Sequence, residues 1–311
     1  MELIRGLHNL RSQHRGCVVT IGNFDGVHLG HQAVLGQLAE QAQTIGLPTT
    51  VVTFEPQPQE FFAPSMAAAR LTRFREKFQA LKRYSVDRVL CLRFDEQFAS
   101  MSAEAFIEQV LVQGLDVKYL VVGDDFQFGK GRQGTFELLC EAGNKLGFPV
   151  VNMHTFNIEG ERVSSTRVRN ALEQGDLVLA EQLLGRPYRM CGRVAHGDKR
   201  GRTIGFPTAN IHLHRKTSPV QGVYAVEMFG VKGEPVAGVA NVGNRPTVDG
   251  TRSLLEVHLF DFNEEIYGKY VHVNFVHKIR NEMKFDSFEL LKEQIKKDEK
   301  QAREWFAARV R

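Results

Sequence analysis

The chain has 311 residues, 42% hydrophobic and 24% charged, with a formal net charge of +4. That is the composition of an ordinary folded protein, long enough for two domains of about 150 residues each. It lacks any apolar stretch near the roughly 20 residues of a membrane span, and its opening, "MELIRGLHNLRSQHRG", lacks the apolar core of a secretory signal, so a cytoplasmic protein is expected. The charge is uneven: residues 1–185 carry 18 Lys+Arg against 21 Asp+Glu, and residues 186–311 carry 22 against 15, a step from −3 to +7. Two modules are implied, the second either facing something anionic or simply presenting a solvated basic surface. Cys17, Cys91, Cys140 and Cys191 are scattered without a CxxC pair, which points to reduced thiols rather than a zinc site or a disulfide framework.

In the first half, β-branched runs alternate with helical patterns. "CVVTI", "TTVVTF", "DRVLCLRF", "KYLVV" and "FPVVNM" are separated by segments such as "HQAVLGQLAEQAQTIG" and "RLTRFREKFQALKRY". The alternation predicts βαβ units on a parallel sheet. A helix, turn and helix follow in "SSTRVRNALEQGDLVLAEQLLG", and the texture changes at "GRPYRMCGRV". From there short strands ("VYAVEMF", "LLEVHLF", "YVHVNFV") with Gly, Pro and Asn between them predict a small antiparallel barrel. The domain boundary is expected near residues 184–188, dividing 1–184 from 185–311. The last segment places Leu291, Ile295, Ala302, Trp305 and Phe306 at helical spacing, an amphipathic helix for the barrel with its charge run as a solvated face.

The densest chemistry in the first half is "GNFDGVHLGH", residues 22–31. A parallel strand followed by glycines and then a helix gathers free backbone N–H groups and the positive end of a helix dipole, which suits a polyphosphate. Gly22, Gly26 and Gly30 permit positive φ and close approach of backbone to ligand. His28 and His31, one helical turn apart, can both donate to phosphate oxygens. As a metal pair they have no third ligand at a familiar spacing, and as core histidines they would be costly without partners.

Together with "VSSTRVR" (163–169), this stretch resembles the HxGH nucleotidyltransferase superfamily, whose members transfer a nucleotidyl group from a triphosphate. The resemblance implies a Rossmann-like domain. In it Gly22, Asn23, Phe24, Asp25 and Gly30 join His28 and His31 in binding ATP, while Ser164, Ser165, Thr166 and Arg169 cap a helix and bind the β- and γ-phosphates. Ser and Thr at a helix start are also ordinary caps. A phosphate nucleophile is ionised at pH 7, which explains why no base accompanies the histidines. Between the two signatures, "VVGDDFQFGKGRQG" holds a literal GxGxxG, but it is set off from its strand and lacks the acidic residue about 20 positions on that a dinucleotide fingerprint wants. The resemblance implies flavin and nucleotide contacts from Asp125, Phe128 and Arg132, against the reading of a plain loop.

In the second half, "GRVAHGDKRGRTIGFPTANI" makes a flexible cationic loop in which Gly197 and Gly201, with Lys199, Arg200 and Arg202, could fold over phosphates ahead of Gly205. Pro207, Thr208 and Asn210 follow, and the Thr hydroxyl and Asn amide are hard oxygen ligands of the kind Mg²⁺ accepts. No Walker motif is present. Glu256, in "LLEVHLFDF", alternates opposite to Leu255 and is either edge surface or a functional base. With "GVY" and "NVGNRPT", this set resembles the riboflavin kinase module. The whole chain resembles the bacterial bifunctional riboflavin kinase/FMN adenylyltransferases, also called FAD synthetases.

The resemblance implies that ATP phosphorylates riboflavin to FMN in the barrel, with Thr208 and Asn210 holding Mg²⁺ and Glu256 taking the ribityl proton. FMN then attacks a second ATP in the first domain to give FAD and pyrophosphate. Its partners are small molecules, with neither nucleic acid nor membrane. One rival is a chain with a single working half. Another is a nucleic-acid binder, since HxGH also resembles the HIGH motif of aminoacyl-tRNA synthetases. Against the second stands "SSTRVR" where such an enzyme needs a KMSKS-like loop, and a barrel without the aromatic pattern of an RNA platform.

Overall fold

The computed structural model describes residues 1–123, 125–153, 156–196, 206–215, 217–247 and 250–309, with backbone alone at 244–247 and 250–252. The chain divides into two compact units. One comprises Met1–Ala68 with Thr72–Ser164, the other Ala69–Leu71 with Ser165–Arg311.

The first unit is built on a parallel sheet. Its strands are β1 (Glu2–Arg5), β2 (Cys17–Ile21), β3 (Thr49–Glu55), β4 (Arg88–Arg93), β5 (Val117–Gly123) and β6 (Val150–Met153), in the order β1-β4-β3-β2-β5-β6, followed by a separate short antiparallel pair, β7 (Asn157–Ile158) and β8 (Glu161–Arg162). The five apolar runs are strands, as expected, because side chains buried on both faces select continuous β-branched sequence. In β2 the period of two sends Cys17, Val19 and Ile21 into one apolar cluster and Val18 into the other, on opposite faces. β1 was not expected: it is four residues of mixed polarity on the sheet edge, paired with β4, too short to carry a pattern.

The strand order decides where a ligand can sit. From β2 the chain runs to β3 and β4 on one side, and β5 and β6 lie on the other. β2 and β5 therefore flank a topological switch point, where the loops leaving two neighbouring strands diverge and open a crevice at their carboxyl ends. The loop after β2 is "GNFDGVH", and it enters helix α1 (Leu29–Ile45).

The second unit holds β9 (Tyr188–Ala195), β10 (Ala209–His212), β11 (Gly222–Phe229), β12 (Val236–Thr247), β13 (Gly250–Leu259) and β14 (Tyr270–Arg280), closed in the order β10-β13-β12-β11-β14-β9. Every strand pairing among its described residues is antiparallel, including β9 with β10, which completes the barrel. Tyr224 and Phe275, both fully buried, meet edge to face with ring centroids 5.3 Å apart. The C-terminal helix Phe288–Arg309 lays Ala302, Trp305 and Phe306 against Val223, Ala225, Val239 and Phe260, the face its spacing predicted.

The charge run of that helix is not uniformly solvated, which corrects the sequence reading. Asp298 is 3% exposed, and its carboxylate accepts from Arg280 Nε at 2.9 Å and Nη2 at 2.7 Å and from Gln294 at 2.8 Å. A buried charge is tolerated when paired in this bidentate way. The second unit also contains the excursion Ala69–Leu71, whose carbonyls accept from Arg169, Arg215 and Tyr188. The helix pair of the linker region, Ser165–Gln174 and Leu177–Leu184, belongs to this unit.

Candidate functional sites

The loop after β2 is shaped by backbone conformation before any side chain acts. Phe24, Gly26 and Val27 have φ of 48°, 83° and 44°, so three neighbours lie in the left-handed region that L residues avoid. Of the three glycines expected to supply positive φ, only Gly26 does. Gly30 matters instead for close approach: a Cβ there would lie 3.2 Å from both Val163 O and His28 Nδ1. Gly22 is similarly tight, its would-be Cβ 3.2 Å from the Phe24 ring.

His28 is the N-cap of α1, and its Nδ1 accepts from the His31 backbone N–H at 3.3 Å. An accepting Nδ1 places the proton of the neutral ring on Nε2, which becomes a fixed donor. The two imidazoles stack with centroids 3.7 Å apart and planes 19° from parallel, so the histidines are brought together as expected. Desolvation, then the neighbouring His28, then the cations Lys77 and Arg162, hold His31 well below the usual imidazole range. Two stacked rings cannot both hold a proton without repelling, and here His31 is kept neutral. Its Nδ1 is buried without a hydrogen-bond partner among the described residues, a polar atom that fits an oxygen-rich ligand at this loop.

Asp25 is 2% exposed and accepts from the backbone N–H of Thr72 at 2.9 Å and from its hydroxyl at 3.1 Å. Phe24 is buried with its ring 4.9 Å from His31, whereas Asn23 is exposed. From the loop after β5, Asp125 pairs with Arg162 at 2.9 Å, and the 128–134 segment closes on itself through two backbone bonds between Phe128 and Gly134. It forms a turn at Lys130–Arg132 rather than the strand-to-helix junction of a dinucleotide fingerprint. Arg132 is exposed on it and Phe128 is buried.

Sequence reasoning missed two features of this unit. Lys77, fully buried on the helix Phe74–Leu81, bears on His31, although its segment reads as a charged helix face. A chain of aromatic contacts joins Phe54, Phe94, Phe98, Phe106, Phe128 and Phe126, with centroid separations of 5.2 to 6.1 Å. The signal was the sequence's 22 phenylalanines. Phe62, which contacts Phe94, is 66% exposed.

The second signature is divided. Ser164 ends the first unit, while Ser165, Thr166 and Arg169 lie in the helix starting at Ser165 in the second. Arg169 Nε donates to Ala69 O at 2.7 Å.

In the barrel, register assembles the site. Glu256 on β13 pairs directly with Asn210 on β10 and with Asn241 on β12. Directly opposed residues share a face, so Asn210, Glu256 and Asn241 form one polar row across three strands. Leu255 and Val257, on the other face, are buried in the barrel. Asn241 was not expected as part of this row. Next to it, His258 Nδ1 donates to Pro207 O at 2.9 Å, tying the "PTAN" segment to β13. The Asn210 amide donates to Thr208 O at 3.5 Å. Gly197, Lys199, Arg202 and Gly205 lie outside the described residues.

Two neutral oxygens, from Thr208 and Asn210, fit a Mg²⁺ ion that keeps water and takes substrate phosphates as its other ligands. They would not make an all-protein cage, and no cluster of three or more His, Cys, Asp or Glu suited to a metal occurs among the described residues. The four cysteines are free thiols. No helix among the described residues is long and apolar enough to cross a membrane.

Fold and sites together define a doubly wound α/β nucleotide-binding unit, with its loop at the switch point, joined in one chain to a closed antiparallel barrel carrying a polar row. Residues 10–167 match the family model for FAD synthetase and residues 184–306 that for riboflavin kinase. The chain is 54% identical over 306 residues to a bifunctional riboflavin kinase/FMN adenylyltransferase of Haemophilus influenzae, covering 98% of this chain and 99% of that protein. It is 55% identical over 307 residues to the protein of the same name from Escherichia coli K12, covering 98% of each. A solved structure described as a macrolide-efflux protein from Streptococcus pneumoniae aligns with a TM-score of 0.82 at 34% identity, over 97% of this chain and 99% of that one. The chain belongs to the bifunctional riboflavin kinase/FMN adenylyltransferase family.

Proposed function

We propose that this chain phosphorylates riboflavin to FMN with ATP and then adenylylates FMN with a second ATP, yielding FAD and pyrophosphate. The observation that carries the reading is the presence, in one chain matched over 98% of its length by bifunctional relatives, of two sites of different construction. ATP as a substrate fits both families.

In the kinase step the nucleophile is the terminal ribityl hydroxyl, a poor nucleophile at neutral pH. Glu256 takes its proton as the oxygen attacks the γ-phosphorus and ADP departs. Asn210 and Asn241 lie directly opposite Glu256 on the two neighbouring strands. Thr208 and Asn210 would hold Mg²⁺, which when bound offsets phosphate charge. Gly197, Lys199, Arg202, Gly205 and Pro207 are assigned to binding this ATP.

In the adenylyl step an FMN phosphate oxygen attacks the α-phosphorus and pyrophosphate leaves. The nucleophile is already ionised, so the site needs donors rather than a base. His28 donates from Nε2, and His31, held neutral, stacks beneath it and keeps that ring in place. Gly22, Asn23, Phe24, Asp25 and Gly30 form the phosphate loop, and Ser164, Ser165, Thr166 and Arg169 bind the β- and γ-phosphates. Asp125, Phe128 and Arg132 contact the flavin nucleotide, whose apolar ring system suits the phenylalanine cluster.

The same reading divides the activities at residues 184/185 and carries with it a cytoplasmic location, where ATP is supplied. Incubation with riboflavin, ATP and Mg²⁺, followed by chromatography, tests it: FMN and then FAD are expected. Neither flavin nucleotide, together with tight salt-sensitive tRNA binding, would overturn it in favour of the nucleic-acid reading.

A further inference from the structure

We propose that Thr72 is a positioning residue for adenylyl transfer, acting through Asp25 and Gly26 on the loop that carries His28. This rests on the assignment of that reaction to the 22–31 loop.

A loop with Phe24, Gly26 and Val27 at positive φ does not hold its shape by local preference, since each non-glycine residue there is disfavoured; surrounding contacts must over-determine it. The internal bond of the turn, Val27 N–H to Phe24 O, is long at 3.3 Å. Thr72, 47 residues away along the chain from Asp25, supplies three shorter ones. Its hydroxyl accepts from Gly26 N–H at 3.0 Å and donates to Asp25 Oδ1 at 3.1 Å, while its backbone N–H donates to the same oxygen at 2.9 Å. One hydroxyl thus closes a ring between a loop carboxylate and a loop amide, and only a group that donates and accepts at once can do so.

All three participants are buried, with Asp25 at 2% and Thr72 at 7% exposure, so water does not readily replace the hydroxyl. Gly26 precedes His28 by two residues. The ring therefore fixes the entry to α1, and with it the direction of the His28 Nε2 donor. Thr72 lies outside both sequence signatures, and its hydroxyl and N–H are engaged by Asp25 and Gly26.

The test uses the full-length protein. Thr72→Val removes the hydroxyl at nearly constant shape, Thr72→Ser keeps it, and Thr72→Cys keeps the small size with a much weaker donor. FAD formation from FMN should fall about 10- to 100-fold in kcat for Thr72→Val, with KM for FMN changed less than about threefold. Thr72→Ser should stay within about threefold of wild type, and FMN formation from riboflavin should be unaffected in every variant. Should Thr72→Val fail to fold, a kcat for Thr72→Cys about tenfold below that of Thr72→Ser supports the proposal, and equal values overturn it. Undiminished kcat in a folded Thr72→Val, a loss shared equally by the kinase reaction, or failure of Ser to rescue also overturns it. If wild type makes no FAD from FMN, the assignment of the reaction fails instead, and the proposal falls with it.

Discussion

The two sites solve different chemical problems and are built differently. The loop after β2 presents backbone N–H groups, a helix N-terminus and two stacked imidazoles, all within the ten residues Gly22–His31. The barrel presents a carboxylate and two amides in one row, Asn210, Glu256 and Asn241, contributed by three strands through cross-strand register. A phosphate nucleophile requires only positioning and charge stabilisation, which a local loop can supply. An alcohol requires a base held in orientation, which a rigid sheet supplies better than a loop.

The comparison is broken most sharply by removing the proposed base. Glu256→Gln should lower FMN formation from riboflavin by about 10²- to 10⁴-fold while leaving FAD formation from supplied FMN intact, followed by chromatography of each flavin. Loss of both reactions would contradict the separation of sites. His28→Ala should do the reverse, lowering FAD formation by about 10²- to 10³-fold with the kinase rate retained. Thermal melts should show only about 1 kcal/mol of lost stability from the missing cap.

A stability experiment sharpens the contrast further. Asp298→Ala strands Arg280 beside the C-terminal helix and should cost about 3 kcal/mol in denaturant unfolding of the barrel unit, with adenylylation retained. The smallest effect concerns His31, whose folded state resists protonation. Below about pH 6.5 the unfolded chain takes up a proton there that the folded chain does not, so stability should fall as pH drops, by up to about 1.4 kcal/mol per unit, until the depressed folded value is reached. His31→Gln should flatten that dependence, and an unchanged slope would show that His31 is not the group responsible.

What was legible in the sequence follows the same division. The phosphate loop is contiguous, so its strand, glycines, histidines and helix could be read in order. The buried parallel strands announced themselves as apolar runs. Asn241 was not legible as a neighbour of Glu256, because only the register of β12 against β13 puts them opposite. Thr72 escaped for the same reason at longer range: a threonine before "RFREK" reads as a helix approach, and nothing local links it to Asp25. Lys77 and Asp298 were hidden in charge-rich helices, where pattern alone treats every charge as solvated, although Lys77 is buried and bears on His31, and Asp298 is buried against Arg280.

The central claim is that one chain holds two independent sites, each sufficient for its own reaction. Mixing the Glu256→Gln and His28→Ala proteins with riboflavin, ATP and Mg²⁺, and following FAD by chromatography, tests it most directly. The mixture should make FAD while neither protein does so alone. A mixture as inactive as its components, when each retains its one expected activity on its own substrate, would contradict the account.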